Sequence, residues 1–437
     1  MLFIAGDYGF LSYILIRFSL SPKIIRQGGK GNLVEKTDTA SRLAYAGQSL
    51  KGVWSQLFRQ PWPLGVGVMA MAITNLFMFM YARALGVFPQ MAMWGSGLYN
   101  LLGLKTESPF APFPVQPLYR DMHSLLNVGI ILGALGSALL AREFKLRRED
   151  GVGYLLGAVG GILMGIGTVL IPPCNVGGFW VATMALSLSG PLSAVGLLLG
   201  AYVGGRILQG HIRKAVLEID FGRAAVGPPV RRQSESSQPI RGILIFLLVL
   251  ALALIYYLAG MPKHGGLLLF GLLFGLIVQR SRLCFAAAFR EILTTRDGVV
   301  MKWVLLSMAV GTLGFTLLKA QGYQPQHMVF PAGWHNIAGG FVFGIGMVLA
   351  GGCGLGILVR SGEGYTRSWL AIITGMLTAG AWVHVYGHRV GEGWLYGRPV
   401  YLPEVLGWGG ALVFVYGFLL LFYLFILWVE GGKHERA

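Results

Sequence analysis

Long apolar runs separated by short polar stretches recur from Pro61 to Trp428. Many of them approach the roughly 20 residues that a helix needs to cross a bilayer. Such a chain must satisfy its backbone hydrogen bonds inside lipid, which leaves helices or a closed barrel. The runs are continuous rather than alternating, so helices are the reading and a β-barrel is not. Only 12% of the 437 residues are charged and 55% are hydrophobic, against about 25% charged in a soluble domain. A water-soluble fold is excluded. The formal net charge of +17 does not point to nucleic acid, because the basic residues sit in loops where the positive-inside rule accounts for them.

Crossings are predicted near 61–86, 122–142, 153–171, 190–208, 241–260, 265–280, 301–320, 335–350, 368–387 and 405–429. Shorter apolar pieces near 91–104, 175–187, 283–294 and 354–366 are too short to cross, or are broken by glycine and charge, and read as re-entrant half-helices. The chain divides into a weakly apolar and cytoplasmic stretch, 1–60, a first membrane repeat, 61–210, a basic cytoplasmic linker, 211–240, a second repeat, 241–404, and a C-terminal helix and tail, 405–437. The run Leu2 to Leu20 contains Asp7 and Arg17 and lacks a small-residue cleavage site, so it reads as a weak membrane or interfacial segment rather than a signal peptide.

A shift of 179 residues superimposes Gly160, Gly161, Gly165, Ile166, Gly167, Leu170 and Cys174 on Gly339, Gly340, Gly344, Ile345, Gly346, Leu349 and Cys353. Two of the three cysteines coincide in one register, which glycine abundance alone does not produce. The stretch 141–148, Ala-Arg-Glu-Phe-Lys-Leu-Arg-Arg, is strongly basic, whereas its counterpart, Lys319 to His335, has almost no Lys or Arg. Opposite sides of the membrane are implied, and hence inverted repeats. The expected fold is an all-α polytopic membrane protein with two inverted repeats, re-entrant half-helices and about ten transmembrane helices. Ten crossings place the linker and the C-terminus in the cytoplasm of a bacterial cell, with the chain in its inner membrane.

Three segments carry chemistry. Ile-Pro-Pro-Cys-Asn-Val-Gly-Gly at 171–178 stops a helix with two prolines and follows the thiol with glycines. Ala-Gly-Gly-Cys-Gly-Leu-Gly at 350–356 does the same with glycine alone. Gln-Arg-Ser-Arg-Leu-Cys-Phe at 279–285 sets Arg280 and Arg282 before Cys284. Glycine around a thiol in lipid permits an unwound backbone, which must line a cavity or be buried in protein. A half-helix starting just after each cysteine aims its N-terminal N–H groups at an anion. The candidate substrate-binding set is Cys174, Cys284 and Cys353 with Asn175, Gly352, Gly354 and Arg282. The plainer alternatives are small packing thiols for the cysteines and positive-inside anchors for Arg280 and Arg282. Asp121, Glu291 and Glu363 lie near loops and read as solvated or capping groups. With no CxxC pair and no ligand spacing among His211, His264, His335, His384 and His388, no metal, cofactor, disulfide or catalytic group is assigned.

These cysteine motifs, with Cys-Phe-Ala-Ala-Ala-Phe-Arg at 284–290 and Leu-Ala-Gly-Gly-Cys-Gly at 349–354, resemble the YeeE/YedE family of membrane sulfur transporters. The length and the basic mid-chain linker resemble its longer YedE branch, linked to sulfur or selenium metabolism. The resemblance implies uptake of a small sulfur-containing anion such as thiosulfate, passed along Cys174, Cys284 and Cys353 at a constriction of an hourglass-shaped helical protein. Two places depart from full symmetry: Pro172-Pro173 stand where the second repeat has Gly351-Gly352, and Arg83 to Val87 carry no cysteine matching Cys284. The alternatives are a selenium-species transporter of the same fold, a thiol or persulfide-transfer oxidoreductase, and a scaffold for a small soluble sulfur-carrier protein.

Overall fold

The computed structural model describes residues 54–103, 116–171, 174–218, 237–325, 328–390 and 397–434. Pro172, Pro173, Trp394, most of the linker and the stretch before Trp54 lie outside the described residues. The chain there is helical, with isolated bridges in place of strands. Its helices in order are α1 (Leu64–Tyr81), α2 (Phe88–Leu101), α3 (Met122–Leu140) and α4 (Gly151–Leu170). Next come α5, a π-helical stretch Asn175–Val181 continued by the turn Ala182–Met184, then α6 (Ser189–Glu218) and α7 (Gln238–Leu258). The second set is α8 (Pro262–Ser281), α9 (Phe285–Thr294), α10 (Val299–Ala320), α11 (Trp334–Leu349), α12 (Gly354–Gly362), α13 (Thr366–Val390) and α14 (Leu402–His434).

Among the described residues, nine segments are long and apolar enough to cross a membrane, counting α8 with α9 and α11 with α12. The protein is a polytopic all-α membrane protein. Its outer helices show why: α7 exposes Leu244, Leu247, Leu248, Leu250 and Leu254, each more than half accessible. An apolar surface of that extent is stable against acyl chains and not against water. The α11–α12 segment is the most buried of the nine.

The helix order runs long, short, long, long, short, long, long, and then runs the same way again. The packing partners follow suit. Helix α6 lies on α11 and α13 on α4; α2 lies on α13 and α9 on α6; α12 lies on α3 and α5 on α10; α7 lies on α3 and α14 on α10. Helices α4 and α11 cross at the centre, antiparallel, with backbones in contact. A Cβ on Gly160 would come within 2.3 Å of the Ala350 nitrogen and 2.7 Å of the Gly346 oxygen. Only glycine permits that approach, which in lipid replaces the hydrophobic drive with packing.

The two ends of the bundle differ. At one end the basic α3–α4 connection meets the α12–α13 turn, with Arg147 N–H donating to the Gly364 carbonyl (2.8 Å) and Thr366 N–H to the Arg147 carbonyl (3.1 Å). The C-terminus of α8 closes on the same end through Arg280 and Glu143. At the other end Tyr81 donates to the Pro262 carbonyl (2.8 Å) and Leu402 N–H to the Leu186 carbonyl (3.0 Å).

Candidate functional site

Each of the four short helices starts in the interior of the bundle and runs toward an end. Their N-caps are Val87, Cys174, Cys284 and Cys353. Three of the short helices thus begin just after the three cysteines, at 175, 285 and 354. The fourth, α2, begins at Phe88, after the Arg83–Val87 stretch that stands in the place of the Cys284 segment. Helix α1 ends at Tyr81, short of the predicted 86, because two buried amides hold the following stretch out of helix. Asn75 Oδ1 accepts from Leu85 N–H (2.8 Å) and Asn127 Nδ2 donates to the Val87 carbonyl (2.8 Å). Sequence reasoning missed both asparagines; the signal was a lone amide in each apolar helix.

The N-termini converge. The Cys174 sulfur faces the backbone N–H groups of Val176 and Gly177 on its own helix and of Val87 and Phe88 on α2. A Cβ on Gly354 would meet the Phe88 ring at 3.1 Å and the Val87 side chain at 3.3 Å, so α12 starts against α2. Cys353 Sγ accepts from Gly356 N–H (3.4 Å). It also interacts with Cys284, Cys174 and the Asn175 side chain. Cys353 therefore lies within electrostatic range of both other sequence-predicted thiols. Cys174 and Cys353 are buried and Cys284 is partly exposed.

Cys174 sits at φ 116° and ψ −178°, a backbone region that L residues rarely adopt. Strain of this kind costs on the order of 1–3 kcal/mol and persists only where the surroundings over-determine it. Here the over-determination is the break between α4 and α5 together with the amides of two helix starts. Asn175 is fully buried, and neither its Oδ1 nor its Nδ2 makes a hydrogen bond of normal geometry among the described residues. A buried amide left in this way is what a polar ligand completes. Gly352 holds the turn into Cys353, donating its N–H to the Met347 carbonyl (2.9 Å).

Cys284 opens toward the basic end into a cavity of about 370 Å³ whose wall includes Arg282, Arg360, Arg147, Glu143 and Glu363. Arg282 is exposed, in the left-handed conformation (φ 54°), and is 3.4 Å from Glu143. Arg280 corrects the anchor reading. It is 1% exposed, donating to Glu143 Oε2 (2.5 Å), the Phe58 carbonyl (3.0 Å) and Gln279 Oε1 (2.6 Å). It ties α8 to the α3–α4 connection, because a buried guanidinium must be paired. Asp121 caps α3, accepting from the His123 and Ser124 N–H groups. Glu291 pairs with Arg290 (3.0 Å).

Half-helix starts capped by two buried thiols and one partly exposed thiol suit the passage of an anion across a membrane. The family model described as Sulphur transport matches residues 29–203 and 280–437. The chain belongs to the sulphur transport family. A probable transporter, YedE, of Escherichia coli K12 is 29% identical over 330 residues, spanning 74% of this chain and 80% of its own length. The thiosulfate transporter TsuA of Spirochaeta thermophila is 37% identical over 188 residues, 38% of this chain and 54% of its own. The TsuA of E. coli K12 is 36% identical over 112 residues, 25% of this chain and 31% of its own. In this sulphur transport family member the matched segments include Cys174, Cys284 and Cys353, and the unmatched interval 204–279 includes the linker.

Proposed function

We propose that the protein imports a small sulfur-containing anion such as thiosulfate, with Cys174, Cys353 and Cys284 along the path. The observation that carries this reading is the gathering of half-helix N-termini beside the cysteines, next to an Asn175 amide that interacts with the Cys353 sulfur and makes no hydrogen bond of normal geometry among the described residues. The N–H groups supply fixed positive charge without the desolvation that a buried cation brings. The thiols act as weak S–H donors that favour a soft sulfur atom. Relatives named as thiosulfate transporters support the substrate class, and selenium analogues of the same size and charge are the competing cargo.

The recurring helix order and paired packing support two inverted repeats, with the basic end, the linker and the C-terminus in the cytoplasm. A bacterial inner membrane fits this charge asymmetry. The basic linker is a candidate docking strip for a soluble sulfur carrier, and its deletion should leave flux through the bundle intact.

Uptake of radiolabelled thiosulfate into liposomes holding only this protein tests the proposal. Cys174→Ala and Cys353→Ala should each abolish uptake while the protein still elutes as a folded species from size-exclusion chromatography. Undiminished uptake by both variants defeats the thiol path. A persulfide or mixed disulfide trapped during turnover and found by mass spectrometry would favour group transfer instead.

A further inference from the structure

Beyond the thiols, the basic-end vestibule contains charge that the relay leaves unused. A second cavity of about 210 Å³ adjoins the first, and Cys284 and Arg360 line both. Arg360 stands in the last turn of α12, the half-helix that Cys353 caps. Its Nη1 lies 3.3 Å from where a Cβ on Gly351 would be, in the break just before Cys353. Its guanidinium sits 5.7 Å from the centre of the Tyr365 ring. It forms no ion pair among the described residues, whereas Glu143, on the same wall, is engaged by Arg280 and Arg282.

Glu363 follows α12 directly and lines the same cavity. Burial pushes its carboxyl up from the ordinary carboxylate range, and Glu143 adds to the rise; Gln279 of α8, Arg360 of α12 and Arg147 of the α3–α4 connection oppose it. Arg142, Lys145 and Arg282 complete the charged groups around this space, and Tyr365 closes the turn beside it.

We propose that Arg360, flanked by Arg147 and Arg282, forms a second site for a small oxyanion between the thiols and the basic end, and that ionisation of Glu363 beside it expels the bound anion. A guanidinium offers a fork of N–H donors that matches oxyanion geometry. With Glu363 neutral, that fork is open to the anion. With Glu363 ionised, an internal carboxylate competes for the fork and repels the ligand. The sign follows: anion binding is tightest at acid pH and weakens as pH rises through the Glu363 titration, which lies above the ordinary carboxylate value of about 4.3. In the orientation proposed above the vestibule faces the cytoplasm, so its occupancy falls as cytoplasmic pH rises.

This site rests on the transport reading, and the experiment separates the two. Binding of labelled thiosulfate to the detergent-purified full-length chain is measured between roughly pH 5 and pH 9 for the parent, Arg360→Ala, Arg360→Lys, Glu363→Gln and Cys353→Ala. Arg360→Ala should weaken acid-pH binding about tenfold or more, and Arg360→Lys should fall between it and the parent. Glu363→Gln should bind as the parent does at acid pH and keep that affinity at alkaline pH. Parent-like binding by both Arg360 variants overturns the site, and so does an unaltered pH slope in Glu363→Gln. If Cys353→Ala binds and transports normally while the Arg360 and Glu363 effects persist, the thiol path fails and the vestibule site stands.

Discussion

The buried Arg280 offers the sharpest quantitative test of how this bundle is held at its basic end. Its three donors go to Glu143, Gln279 and the Phe58 carbonyl, and its side chain is 1% exposed against 31% for Glu143. Glu143→Ala removes the charge-assisted hydrogen bond from Arg280, worth about 1.5–3 kcal/mol, together with the bond from Gln279 (3.1 Å) and the longer, exposed one from Arg282 (3.4 Å), and leaves the buried Arg280 cation unpaired. In a fully buried pair that loss is about 3–5 kcal/mol. Water reaches Glu143, so the lower part of the range applies, and we expect a destabilisation of about 2 kcal/mol, roughly thirtyfold in the folding equilibrium. Replacing both partners, as Glu143→Ala with Arg280→Met, removes the stranded charge. The double variant should therefore lose about 1–2 kcal/mol less than the two single losses summed. Denaturant titration of the detergent-solubilised protein measures all four corners of the cycle. A Glu143→Ala protein within about 0.5 kcal/mol of the parent, or strict additivity in the double variant, would refute a structural role for the pair.

Other perturbations read different parts of the fold. Gly160→Val drives a side chain into the α11 backbone and should destabilise by about 1–3 kcal/mol, whereas Gly409→Ala, with open space around its Cβ position, should leave thermal unfolding unchanged or raise its midpoint. Asp121→Ala strips the α3 N-cap and should cost about 0.5–2 kcal/mol, read by the same titration; Asp121→Asn should recover most of it. Asn175→Ala deletes the buried amide without removing a hydrogen bond of normal geometry, so uptake should fall while unfolding stays close to that of the parent; the reverse pattern would make Asn175 a structural residue.

The membrane class, nine of the ten predicted crossings and the four half-helices were legible in the chain because each depends on local properties, apolar run length, glycine or proline breaks and basic loops; the tenth, 368–387, is helical as α13 but is not among the nine apolar segments. The breaks at Cys174 and Cys353 were legible for the same reason, since proline or glycine beside each thiol interrupts a membrane helix. Arg280 was misread as an anchor because nothing in Gln-Arg-Ser-Arg announces Glu143, which lies 137 positions away. Asn75 and Asn127, which hold the start of α2, were silent for a similar reason, and Arg360 and Glu363 looked like ordinary residues at a helix end.

By itself, then, the sequence determined that this protein lives in lipid as helices and where those helices must break, because a bilayer admits no other way of pairing the backbone. Only the tertiary structure decided that the breaks are neighbours, with the Val87–Phe88 start beside Cys174 and Gly354, and Cys353 within electrostatic range of Cys174 and Cys284. Hydrophobicity is non-directional and does not distinguish one helix neighbour from another in lipid. The partners are chosen by backbone contact at glycines and by buried polar pairs, and those pairings join residues far apart in the chain.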